Sequence, residues 1–117
     1  MQIADIVALA KGGRTVLVVP ETQEAAAALF ETIDPESLSG VTHLRRSRGR
    51  ELVQFGGGGS LRFVSAGSVR AGGARGRTVD VVIVDHRVAH DPGDDLLREL
   101  EPCIETTGGT FVVVPMD

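Results

Sequence analysis

Residues 56–86 read GGGGSLRFVSAGSVRAGGARGRTVDVVIVDH, and the order of signals in this stretch decides the fold. Four glycines separate two short extended segments, residues 51–55 and 60–64, as in a hairpin with a flexible tip. Residues 65–78 are rich in Gly, Ser, Ala and Arg, show no period, and read as a mobile loop. Residues 79–84 form a β-branched, nearly all-apolar run that ends in Asp85, the pattern of a strand covered on both faces of a parallel sheet.

Working outward, residues 14–19 (RTVLVV) repeat that pattern and are closed by Pro20. Apolar residues at helical spacing precede them over residues 2–10 and stop at Gly12-Gly13. An Ala-rich helix follows over residues 21–33, with Ala26, Ala27, Leu29, Phe30 and Ile33 on one side. Residues 41–46 (VTHLRR) form a further short strand, residues 93–100 a helix with Leu96, Leu97 and Leu100 as its buried stripe, and residues 110–114 (TFVVV) the last strand. Strands alternating with helices imply an α/β class, a three-layer-like sandwich on a small, mostly parallel sheet. At 117 residues the chain is expected to be one domain, 1–117.

Composition narrows the function. Phe30, Phe55, Phe63 and Phe111 are the only aromatic rings and all fall at core positions, so stacking on bases has little to work with. A single cysteine, Cys103, excludes an internal disulfide and a cysteine-based metal site and fits a reducing compartment. Residues 1–10 carry Asp5 and lack a basic start, unlike a secretory leader, and no apolar run approaches the ~20 residues that span a bilayer. A soluble cytoplasmic protein, with no membrane partner, is the expectation.

The net charge of −4 conceals a strong segregation. Residues 44–77 hold eight arginines, Arg45, Arg46, Arg48, Arg50, Arg62, Arg70, Arg75 and Arg77, against Glu51 alone. The flanking segments are acidic. Arginines can simply solvate a strand edge, but eight against one acid favour binding to phosphate, nucleic acid or an acidic partner. Asp85 reads first as a polar residue at a strand end. His86 and His90 have helical zinc-ligand spacing but no strong third ligand, so no metal site is expected.

The succession of a hairpin, Arg75-Gly76, a β-branched strand ending in Asp85 and a last strand after Gly108-Gly109 resembles the ATPase core of phage terminase large subunits and RecA-type, helicase-like P-loop motors. The unit RTVLVVPETQEAAAALFETI, with Pro20, Glu21, Thr22 and Gln23 at its strand end, resembles the same family. The resemblance implies a Walker B strand, with Asp85 at the magnesium position and His86 where the family has a catalytic Glu: a vestigial Walker B pair. A neutral imidazole does not replace a carboxylate that orients water. No G-x-x-x-x-G-K-[ST] phosphate loop, the Walker A motif, occurs, and Met1 falls about where the helix after that loop would begin. The resemblance thus implies a degenerate, phage-type domain, cytoplasmic in a bacterial host, that is not an enzyme, takes no cofactor and binds nucleic acid or a motor partner through its arginines. The alternative is a protein-interaction module without nucleic-acid binding. In the family the phosphate-loop strand lies between the Walker B strand and the last strand. Here those neighbours would either pair directly or receive a strand from another chain, as in a homodimer or heteromeric complex.

Overall fold

The β-branched run near the middle of the chain becomes β5 (Val81–Asp85), buried along its whole length, and the sheet is assembled around it and β1 (Thr15–Val19). The computed structural model describes residues 2–47, 50–74, 76–89, 96–105 and 107–116. The remaining elements are α1 (Ile3–Lys11), α2 (Gln23–Glu31), a 3-10 turn (Pro35–Leu38), β2 (Val41–Arg45), β3 (Leu52–Phe55), β4 (Ser60–Phe63), α3 (Ala66–Arg70), α4 (His86–Ala89), α5 (Leu96–Glu105) and β6 (Thr110–Val114).

The six strands lie in the order β2-β3-β4-β1-β5-β6. β4, β1, β5 and β6 are mutually parallel, and β2 and β3 are antiparallel additions at one side. One face packs on α1 and α2 through Ile6, Val7, Ala10, Ala26 and Phe30, which meet Val16, Val18, Phe63 and Ile83. The other packs on α3, α4 and α5 through Val69, Val88, Leu96 and Leu100, which meet Leu17, Val19, Val82 and Val84. The expected three-layer α/β sandwich is present. Alternate side chains of each central strand feed opposite cores, which is why those strands are apolar throughout.

Local signals explain the helix ends. Thr22 Oγ1 accepts from Ala25 N–H at 3.0 Å and starts α2, and α1 closes when Gly13, at φ +98°, donates from its N–H to Ala10 O. β5 begins two residues later than expected, where Val79 bonds outside the sheet and Asp80 makes only the first bonds to its neighbours. Val79 N–H donates to Cys103 O, and Asp80 N–H to Thr15 O, while the Asp80 carboxylate accepts from Thr15 N–H at 2.8 Å.

Three expectations are corrected. The segment 65–78 is not all loop: Ser65 Oγ accepts from Ser68 N–H and caps the single-turn helix α3. The last helix runs on to Glu105 through Pro102, and its buried stripe is Leu96, Leu100 and Cys103, whereas Leu97 is 39% exposed. Pro102 lies on the exposed side of the helix, away from the buried stripe. Residues 93–95 of the expected helix lie outside the described residues. Finally, the glycine tip is not loose throughout, since Gly59 is buried against the end of α1.

β5 and β6 pair directly along their length, from Val81 opposite Thr110 to Asp85 opposite Val114. Of the two arrangements the family resemblance leaves open, the sheet therefore shows closure without a strand from another chain. Among the described residues no helix is long and apolar enough to cross a membrane.

Candidate functional site

Strand register sorts the arginines. Arg45 on β2 lies opposite Leu52 on β3, Leu52 opposite Arg62 on β4, Arg62 beside Leu17 on β1, and that row continues through Val82 to Phe111. Cross-strand partners share a face, so Arg45 and Arg62 project on the side that α3 and α5 cover further along. Over β2 to β4 that cover stops. The result is a cleft of about 400 Å³ between the antiparallel strands and the turn after α3, lined by Arg45, Arg50, Arg62 and Arg77 with Ser68, Gly72 and Gly73.

The four guanidiniums come from different places. Arg45 and Arg50 are exposed at the rim, Arg62 is half-buried on the strand floor, and Arg77 is held by donating from Nε to Gly73 O at 3.1 Å. Among the described residues none of the four has an ion-pair partner. Burial first, then the neighbouring charges of Arg77 and Arg45, holds the Arg62 guanidinium below the usual arginine range. Glu51, the one acid of this stretch, continues the antiparallel register opposite Phe63 and is 2% exposed. It therefore belongs to the other side of the hairpin and does not neutralise the cleft.

Arg46 and Arg70 do not join them. Arg46 follows Arg45 and points to the opposite face, where Nη1 is 3.5 Å from Glu31 Oε1 and the guanidinium stacks 5.4 Å from the centre of the Phe30 ring. Arg70 is exposed on α3, outside the lining. Arg48 and Arg75 lie outside the described residues. Sequence reasoning missed Ser68, Gly72 and Gly73, because α3 was not expected. The serine that caps α3 was the available signal.

Asp85 and His86 are outside the cleft lining, at the end of β5, which β1 separates from β4. Asp85 is 1% exposed, and its Oδ1 accepts from Arg87 N–H at 3.1 Å, capping α4, with His86 Nδ1 at 3.3 Å. The carboxylate thus has a structural partner at the strand's C-terminal end. Among the described residues no group of three or more His, Cys, Asp or Glu could hold a metal, and His90 lies outside them.

Two solved structures share this arrangement of strands and helices. The large terminase ATPase domain of Thermus phage P74-26 matches with a TM-score of 0.64 as its R139A mutant and 0.61 in a second structure, each at 21% identity. The chain has a terminase ATPase-like fold. Each match covers 95% of this chain and 51% of the other, so the chain spans about half the length of those terminase chains. No protein-family model and no curated protein matches it.

On the face of the terminase-like sheet that α5 covers, Cys103 Sγ lies 3.3 Å from Ala74 O, and burial, partly opposed by Arg77, pushes its thiol up from the ordinary value. A raised folded value means the stabilising contribution is complete at neutral pH and is lost as pH climbs through the folded value. Cys103 is expected to react at least about a hundredfold more slowly with a thiol reagent at pH 8 in the native protein than in urea. Equal rates would show that α5 does not seal it.

Proposed function

We propose that this domain is a catalytically inactive relative of terminase-type motors that binds the phosphate backbone of nucleic acid in the cleft of Arg45, Arg50, Arg62 and Arg77. The observation that carries the reading is the convergence of these four cations, without a carboxylate partner among the described residues, on one concave surface. Four like charges held together repel one another, and a polyanion relieves that repulsion while releasing its own counterions. The capping role of Asp85, whose carboxylate is already engaged by the Arg87 N–H, supports the inactive reading.

The test is equilibrium binding of fluorescent oligonucleotides across a salt series. The wild type is expected to bind with little sequence preference, because Phe30, Phe55 and Phe63 are buried in the core and phosphate contacts carry no sequence information, and to weaken steeply as salt rises. Replacing Arg45 and Arg50 together by Ala should flatten the log–log salt slope by about one and a half units. Arg46→Ala, on the opposite face, should leave affinity within about twofold. Loss on Arg46→Ala with none on the double variant would place the interface elsewhere.

In a separate calorimetric titration magnesium-ATP is expected to show no micromolar binding. Tight binding abolished by Asp85→Ala would restore an enzyme reading. A protein partner is the second reading, favoured by the unpaired edge of β6, where Val113 is 47% exposed. A concentration-dependent dimer with no oligonucleotide binding would select it.

A further inference from the structure

The shape of the cleft distinguishes single from double strands, an inference that rests on the nucleic-acid reading above. Arg45 and Arg50 stand on the rim and are exposed, whereas Arg62 lies on β4 at the floor, half-buried between the antiparallel strands and the turn that carries Ser68, Gly72 and Gly73. Its charge is the one most in need of an anion, since desolvation and the Arg77 and Arg45 guanidiniums all act against it. A ligand must enter the recess to reach it.

Duplex nucleic acid is a stiff, convex rod that carries its phosphates on the outside. Laid across the mouth, it meets the rim arginines and leaves the floor untouched. A single strand bends sharply at its backbone torsions and can turn one phosphodiester inward while neighbouring phosphates meet Arg45, Arg50 and Arg77. The volume, about 400 Å³, falls in the range of about 300–1,000 Å³ typical of sites that enclose a small ligand, which suits a short run of backbone and not a groove-wide contact. Aromatic stacking contributes little, as Phe30, Phe55 and Phe63 are buried in the core and Phe111, which is not among the cleft residues, is packed against it. Depth of phosphate penetration is then the property that separates the two ligands.

We propose that the cleft seats a single-stranded phosphate backbone, with Arg62 on its floor contacting one inward-turned phosphodiester that a duplex cannot deliver. Arg62 is the residue that sets strand selectivity, and the rim arginines set overall affinity. Arginine suits the floor position because its planar fork bonds two phosphate oxygens at once and keeps its charge when partly desolvated.

The experiment measures anisotropy of a labelled oligothymidine and of a labelled duplex of equal length at one moderate salt concentration. Wild-type protein should bind the single strand at least about tenfold more tightly. Arg62→Ala should weaken single-strand binding by about ten- to a hundredfold, as loss of a charge-assisted contact does, while duplex binding changes by less than about threefold. Arg62→Lys should recover part of the loss. Duplex binding as tight as single-strand binding, or Arg62→Ala weakening both equally, overturns the proposal while leaving nucleic-acid binding in place. Binding of neither probe by the wild type overturns the underlying reading itself. The wild-type ratio stands even if Arg62→Ala melts early, and Arg62→Gln, which keeps the length of the stem, then supplies the variant.

Discussion

Gly59→Val is expected to unfold the domain, or to destabilise it by more than about 3 kcal/mol, a fall in melting temperature of more than about 10 °C. A Cβ at Gly59 would land on the carbonyl of Ala10 and lie 3.0 Å from the Cα of Gly13. Neither neighbour can give way cheaply. Ala10 O accepts from Gly13 N–H at 3.1 Å to close α1, and Ser60 N–H, one residue on from Gly59, donates to Arg14 O to join β4 to β1. Relief would require α1 to lift off the sheet, and with it the burial of Ile6, Val7 and Ala10. Gly57→Ala is the control, because nothing lies within 4 Å of its added Cβ, and should change stability by less than about 0.5 kcal/mol. Thermal melting followed by circular dichroism separates the two. Similar melting temperatures for both variants would mean that α1 does not dock on the hairpin tip.

Ile83→Ala is expected to cost about 2–4 kcal/mol in urea or thermal unfolding, the range of buried large-to-small changes. Ile83 is completely buried, sits between Val18 and Val112 in the strand register, and packs in the core beneath α1 and α2. Three residues further on, His86→Ala should cost under about 1 kcal/mol, because the imidazole is only half-buried and the cap of α4 comes from Asp85. The reverse order, a large loss at His86 and little at Ile83, would displace β5 from the centre of the sheet.

Much of this architecture is written locally. The runs that became β1 and β5 are β-branched and apolar on both faces, as strands buried between two helical layers are; β6 has a similar sequence but lies at the edge, with Val113 exposed. The boundaries that missed, at Val81 and at Glu105, missed for a common reason. They depend on where a distant backbone needs a hydrogen bond, as when Cys103 O takes the N–H of Val79. α3 was hidden because one turn capped by Ser65 has too few apolar residues to show a period.

The candidate site divides in the same way. That eight arginines crowd into residues 44–77 around one carboxylate is a property of the chain alone, as are the apolar strands and the lack of a phosphate-loop motif. Which arginines act together is not. Arg45 and Arg46 are adjacent in sequence yet face opposite layers, because a strand turns successive side chains to opposite sides. Arg45, Arg62 and Arg77 are far apart in sequence yet line one cleft, because antiparallel register sets the first two in one row and the turn after α3 returns the third. Glu51 is turned from the cleft by that same alternation, and β6 is set against β5 by the parallel register of the finished sheet. Composition and period determined the class of the fold and the sign of its charge; strand order and register, which arise only when distant segments pair, decided which charges meet.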